Sequence, residues 1–463
     1  MASPLRLLSA HAQRLSQWSL RELSSSYPGL EETFVHPDFE FRERVFSPVV
    51  TFWMFLSQVL SDGASCQEMV AKMLAALWLT EAKQASPDNS GYCQARKRLP
   101  ESFLQRLAEK TASELECQVR SMQLWMGRRV RIVDGSSLSM PDTAANQTPY
   151  PQPKGQKPGC GFPVMRLVVV FSLATGAILR VARGSLWQSE RTLFQCLQET
   201  LQAGEVLLAD RGFCGFADIY VLMSRGVEVV VRQHRNRSAG VLCLKQLGRG
   251  DRLVQWLQSS KHPPAWMELK TWAAMPKTLN LREITYTVPV KGFRSKEITL
   301  ATTLTDPKLF PKEAFVDLYL RRWNAELFLR DIKISLHMDV LRCKTPEMIH
   351  KELWMHVIAY NLIRTLMGLA ARRNDVSVLS LSFKSCLGSI RQWAPWLAAL
   401  DPTSPRFFTT QELLLRYLAE LILPHRPNRV EPRARKRRPK NYPLLTAPRK
   451  VFKEIPHRNR YRA

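Results

Sequence analysis

Apolar residues recur along the chain with two different periods. Phe52, Phe55, Leu56, Val59 and Leu60 return at helical spacing, as do Met69, Met73, Leu74, Leu77 and Leu79. A basic cluster, GYCQARKRLP (91–100), leads into a third such run at Phe103, Leu104 and Leu107. Residues 1–125 are therefore read as mainly helical. The pattern changes near Gly127. RRVRIVDGSS (128–137) is a β-branched run closing on Asp134, which predicts a strand with an acid at its end. A Pro/Gly-rich polar loop follows to Pro163, and then MRLVVVFSLATGAILRVARGS (165–185) predicts a hairpin turning at Ala174-Thr175-Gly176. Leu193, Leu197 and Leu201 mark a helix within 189–203, and EVLLADRGF (205–213) is a second strand closing on an acid, Asp210. A helix over 216–224 and a strand over 227–231 complete the block.

Strand, hairpin, helix, strand, helix, strand is an α/β order with a mixed sheet. Open α/β sheets place their sites at strand ends, where both acids fall. Residues 232–300 break the pattern with prolines and short alternating stretches such as ITYTVPVK (284–291), predicting a β-rich insertion. A long helix is expected over 313–336 and a strongly apolar one over 344–372. The resulting division is a helical N-terminal part (1–125) and an α/β part (126–372) containing the insertion (232–300). A helical C-terminal region (373–425) and a basic tail (426–463) follow. A length of 463 residues suits two to four domains.

Charge sharpens this picture. Lys plus Arg number 67 against 40 Asp plus Glu, a formal charge of +27. Fourteen cations and two Glu lie between Arg426 and Arg462, so the tail carries +12 and the body the other +15. Such a balance selects an anionic partner, nucleic acid first and a membrane surface second. Phe46–Leu60 is the longest apolar stretch and is too short to span a bilayer. The first 30 residues lack the apolar core of a secretory signal, so a cytoplasmic location is expected. The nine cysteines form no CxxC pair and no zinc spacing, which disfavours zinc fingers and disulfide scaffolds. The glycines at 155–161 lack the GK[ST] of a P-loop and lead into a strand, so nucleotide hydrolysis is not indicated.

The expected long helix carries Tyr319, Arg322, Glu326 and Lys333. In a regular helix these fall within a stripe of roughly 60°, apart from the apolar stripe of Leu320, Leu327 and Ile334. By itself an Arg and a Glu four apart is an ordinary surface pair. Together with Asp134 and Asp210, Glu326 completes three carboxylates on separate elements. Such a set suits divalent cations, which prefer oxygen ligands. Two such ions can activate a water or 3′-hydroxyl and stabilise the leaving oxygen in phosphoryl transfer.

The spacing Tyr319-x2-Arg322-x3-Glu326-x6-Lys333 resembles the Y-R-E-K signature of bacterial insertion-sequence transposases of family four, in the DDE superfamily. VDGSS (133–137) and ADRGF (209–213) are similar to that family's first and second aspartate motifs, and GCGFPVMR (159–166) and YCQARKRLP (92–100) to further family segments. The resemblance covers roughly 60–445. It implies a ribonuclease-H-like catalytic domain with Asp134, Asp210 and Glu326 as catalytic and metal-binding triad, holding two Mg²⁺ for which Mn²⁺ can substitute. It also implies that Tyr319, Arg322 and Lys333 contact DNA near the scissile phosphate. Arg96, Arg98 and Arg211 are further candidates for DNA contact. The family mechanism of nicking, hairpin formation, reopening and joining uses an inserted-domain Trp to receive a flipped base. Trp256, Trp266 and Trp272 are the candidates here.

Asp142, Glu190, Asp218, Asp317 and Asp331 compete for the triad, but their positions in a loop, at helix starts or off the helix stripe favour structural roles. The expected function is a DNA transposase that binds terminal inverted repeats and joins the cleaved ends to target DNA. Its partners would be double-stranded DNA, both repeat and target, and a second copy of the chain in the DNA complex. No membrane would be involved, and the location would be the bacterial cytoplasm at the nucleoid. The alternatives are a metal-dependent nuclease without strand transfer and a non-catalytic DNA-binding regulator.

Overall fold

The protein is described from a computed structural model, covering residues 45–453 apart from 62, 79–85, 235–236, 238–239, 259–261, 288–296, 399, 402 and 425–443. The amino-terminal residues before 45, most of the basic tail and part of the insertion lie outside the described residues.

Among the described residues, four helices come first: α1 (Pro48–Leu60), α2 (Cys66–Trp78), α3 (Ser90–Arg98) and α4 (Glu101–Cys117). Ser47 caps α1 through Val50 N, with Pro48 in the first turn, where its missing N–H costs nothing. The sheet begins with β1 (Val130–Ser139) and, after the short helix α5 (Ala144–Gln147), continues with β2 (Val164–Ser172) and β3 (Ile178–Ser185). The hairpin forms where it was expected, with Gly176 at φ 74° in the left-handed region. Helix α6 (Glu190–Gln198), strand β4 (Val206–Ala209), helix α7 (Phe216–Ser224) and strand β5 (Glu228–Arg232) follow.

β1 pairs antiparallel with β2 and parallel with β4, and β4 pairs parallel with β5. The order β3-β2-β1-β4-β5 is that of a ribonuclease-H-like sheet. The expected β-rich insertion supplies β6 (Val241–Gly248), β7 (Asp251–Leu257), the short helix α8 (Leu269–Ala274), β8 (Thr278–Thr287) and β9 (Glu297–Thr302). These strands extend the same sheet. β9 adds antiparallel to β5, giving nine strands in the order β3-β2-β1-β4-β5-β9-β8-β7-β6. The edge that β5 would otherwise present is thereby paired.

The expected single helix over 313–336 is segmented. It runs as α9 (Lys312–Leu320), a 3₁₀ turn (Arg321–Trp323), α10 (Asn324–Arg330) and a π-turn (Asp331–Ser335). His337, at φ 57°, ends it. Then come α11 (Pro346–Arg373), α12 (Phe383–Ala398), α13 (Pro405–Glu420) and α14 (Arg449–Lys453). α11 is buried on nearly every face because it lies between the sheet and the outer helices. One apolar core joins Phe52 of α1, Phe103 of α4, Ile132 of β1, Leu208 of β4, Phe328 of α10 and Ile358 of α11. A second core, beneath α6 and α7, fills the opposite face and extends to Trp256 and Trp272 in the insertion.

Candidate active site

Alternation along β1 puts Ile132, Asp134 and Ser136 on one face, the face covered by α9, α10 and α11. Ile132 stands beside Leu208 of β4 in parallel register. Asp134 and Asp210 are each two residues further on, so pairing alone places them on neighbouring strands and the same face. Asp134 is not at a strand end as expected. β4 stops at Ala209, whereas β1 runs on to Ser139 with β2, so Asp134 stands where the parallel pairing gives out. Its Oδ1 accepts from Gly135 N at 2.9 Å. Asp210 Oδ1 accepts from Gly212 N at 2.7 Å and so caps the turn Arg211–Phe213.

Glu326 reaches the site from α10. Arg322 Nη2 donates to Glu326 Oε1 at 3.1 Å, and its Nη1 lies 3.9 Å from Asp134 Oδ2. One guanidinium therefore links two of the three acids. Burial pushes the Asp134 carboxyl up to about 6; Gly135 N–H and Arg322 pull it down, while the charges of Asp210 and Glu326 add to the rise. Burial opposes the charge of Arg322, yet Tyr319, Glu326 and Asp134 outweigh it and hold its pKa above the usual value. Tyr319 is buried beside Arg322, Arg232 and Asp210, and burial keeps its hydroxyl protonated well beyond the ordinary range. It stands as a donor.

Lys333 joins the site through the π-turn. Its Nζ donates to Ser136 Oγ at 3.0 Å and to Ser137 O at 2.9 Å, tying the helix end to β1. Burial lowers its pKa, with Asp339 acting the other way. The same turn directs Asp331 inward to Arg364 at 3.0 Å, a buried structural pair, as expected of an acid off the stripe. Asp218 is likewise structural, held by Arg191 and Gln195.

Among the described residues, no three His, Cys, Asp or Glu side chains close on a common point as a metal shell. The donor chemistry nonetheless fits a hard divalent cation. There are three carboxylates from three elements, and the two on the helix side and β1 are already drawn toward a positive charge, that of Arg322.

Several expected contacts are placed elsewhere. Arg96 is buried, with Nη1 donating to Cys66 Sγ at 3.0 Å and Nη2 to Cys343 Sγ at 3.2 Å, and its guanidinium 3.9 Å above the Phe55 ring. It joins α3 to the rest of the core and is not open to a phosphate. Arg98 and Arg211 are exposed. Trp256 has no exposed ring: it is 0% accessible, donates Nε1 to Glu283 Oε1 at 2.8 Å and lies beneath Arg237 at 4.0 Å. Trp272 is also a core residue. Both therefore depart from the expectation of a stacking platform, which needs a free face. Trp266 is partly buried against the same core.

Ser136, Ser137 and Arg232 had not been singled out. The two serines lie within the first aspartate motif, but their bond to Lys333 depends on the π-turn. Arg232 ends β5, the next parallel strand after β4; burial raises the pKa of both Tyr319 and Tyr286, and the nearby charge of Arg232 opposes that rise in each. Its signal was its place, a charged residue at the end of a buried valine run.

The chain matches the family described as the transposase DDE domain over residues 125–362, just over half of its length. The chain belongs to the DDE transposase family. This DDE transposase-family chain is also 29% identical over 371 residues to the transposase InsG for insertion sequence element IS4 of Escherichia coli strain K12, spanning 78% of this chain and 79% of that protein. The expected likeness to insertion-sequence transposases is thus borne out. Among solved structures, a cryo-EM structure of the piggyBac transposase synaptic complex with hairpin DNA aligns over 92% of this chain and 86% of that one. Its TM-score is 0.40 at 10% identity, too loose to add to the strand order itself.

Proposed function

We propose that this chain is an insertion-sequence transposase that binds terminal inverted repeats, cleaves the element ends and joins them to target DNA, with a DNA hairpin as intermediate. The observation that carries the reading is that Arg322 bridges Asp134 and Glu326 while the charge of Asp210, on the neighbouring strand, also reaches Asp134, inside a span that matches the DDE family. Asp134, Asp210 and Glu326 would hold Mg²⁺ or Mn²⁺, which when bound supply activation of the attacking hydroxyl and neutralisation of phosphate charge.

The chain's own residues do the rest. Arg322 exchanges its carboxylate partners for a DNA phosphate, which its fork grips bidentately. Tyr319, protonated and largely enclosed, donates its hydroxyl to the same backbone. Lys333, held on β1 by Ser136 and Ser137, fixes a point charge at the far end of the helix. Burial of Tyr319 and Asp134 limits water around the reacting phosphate. Arg98 and Arg211 present exposed cations for further backbone contacts. Of the three insertion tryptophans, Trp266 is the remaining candidate for stacking a flipped base. Two ends must meet for transposition, so a dimer on DNA is part of the proposal.

The test is to incubate purified protein and Mg²⁺ with a duplex carrying the element's own terminal repeats and a second, labelled duplex. The reading expects end cleavage and a joined product. Cleavage without joining would favour a nuclease, and binding with neither would favour a regulator.

A further inference from the structure

A second cationic feature lies away from the acids. A pocket of about 340 Å³ opens where the end of α4, the β2–β3 turn, the 3₁₀ turn after α9 and the last turns of α11 meet. Arg120, Arg321, Arg364 and Arg372 line it, with Asp375 the one carboxylate among the lining residues. We infer that this pocket is a phosphate-binding site, filled by the backbone of a DNA strand that also passes the acids.

Charge balance is the first argument. Arg364 is neutralised by Asp331 at 3.0 Å. Arg120, Arg321 and Arg372 make no salt bridge among the described residues; Arg372 has only the neutral Gln118 Oε1, at 3.4 Å. Three cations thus face one acid. Arg321 is only partly exposed, and burial lowers its pKa, with Asp317 the opposing influence. A half-buried guanidinium with no carboxylate in contact is relieved by an incoming anion. The apolar wall, including Leu115 and Ala371, limits water and strengthens that attraction. The volume admits a phosphate with its neighbouring sugar.

Position is the second argument. Leu173, just before the hairpin turn, donates its N–H to Val130 O at the start of β1. Asp134 is four residues further along the strand, about 13 Å away at strand rise. Arg321 and Arg322 are neighbours in one 3₁₀ turn, where successive side chains diverge by about 120°. Arg322 turns to the acids and Arg321 to the pocket. A strand held by Arg322 therefore has a second anchoring point on the other side of the same turn.

The phosphate site stands by itself; only the source, DNA, rests on the proposed function. Arginine footprinting with phenylglyoxal, read by mass spectrometry on the full chain, separates the two. Repeat-bearing duplex DNA is expected to protect Arg321 and Arg372 together with Arg322. Protection of the pocket by inorganic phosphate or a mononucleotide, but not by DNA, keeps the phosphate site and overturns DNA as its occupant. Protection of Arg322 by DNA with no change at Arg321 or Arg372 under any probe overturns the pocket. If DNA protects none of the three, the proposed function fails, and the phosphate arm alone decides the pocket. As an independent check, Arg321→Gln with Arg372→Gln should flatten the salt dependence of DNA affinity by about 0.9 per lost phosphate contact. An unchanged slope in a variant that melts like the wild type overturns the proposal, and Arg372→Lys should restore part of the slope.

Discussion

Replacing Asp134 by Asn should stabilise the protein while abolishing its chemistry. The carboxyl is raised from 3.8 to about 6, chiefly by burial. At about 1.36 kcal/mol per pKa unit, the folded protein bears about 3 kcal/mol to keep Asp134 ionised at neutral pH. The sign follows from the raised value. The folded state binds the proton more tightly, so Asp134 favours folding below about pH 4, and that contribution is lost as pH rises through 6. The asparagine of Asp134→Asn keeps the acceptor for Gly135 N–H and has no charge to desolvate. In chelator, urea denaturation should find the variant and wild type about equal near pH 4, with the variant ahead by about 3 kcal/mol above pH 7. Divalent cation offsets most of that advantage. A cation at about 100 times its dissociation constant adds about 2.7 kcal/mol to a protein that binds it only when folded, and the variant should gain much less. Equal pH profiles for the two proteins, or equal stabilisation by Mg²⁺, would refute the reasoning.

Other parts of the structure make separate demands. Trp256→Ala should destabilise by about 3–5 kcal/mol in denaturant, as loss of a fully buried ring does; a loss of hairpin formation at unchanged stability would instead restore a base-stacking role. Arg96→Ala should cost about 2 kcal/mol or more in the same assay, through lost packing on Phe55 and lost bonds to Cys66 and Cys343, with DNA affinity per folded molecule unchanged. Glu116 bonds Arg131 and Arg129; burial raises its pKa, but Arg131, Ser172 and Arg129 outweigh that and hold it below the usual value. Its contribution is present above the ordinary Glu range and lost as pH falls, so Glu116→Gln should flatten the acid limb of the stability curve between about pH 5 and 3.

The central strands were legible because their signals are local. The β-branched runs at 130–133, 167–170 and 229–231 are buried on both faces and could hardly form anything else. The neighbouring places of Asp134 and Asp210 were legible because parallel register sets them, and the Arg322–Glu326 pair because one helix turn separates the two. What sequence spacing could not convey depends on distant contacts. The helix stripe drawn at a constant angle omits the 3₁₀ turn and the π-turn, and it is the π-turn that carries Lys333 to Ser136 and Ser137. A basic run at 96–98 looks like a phosphate grip, yet Arg96 turns inward because Phe55, Cys66 and Cys343, far apart in the chain, form a pocket for it. The insertion tryptophans could not be ranked without knowing that its strands extend the main sheet and bury Trp256 against Glu283 and Arg237.

The most direct test of the account is single-turnover cleavage of a repeat-bearing DNA end in Mg²⁺ by the wild type and by Asp134→Asn, Asp210→Asn and Glu326→Gln. Each variant should bind the end, since the cations that grip phosphate are unchanged, and each should cut it at least about a thousandfold more slowly. Near wild-type cleavage by any one of the three, in protein shown to be folded, would contradict the assignment of these carboxylates as one catalytic centre.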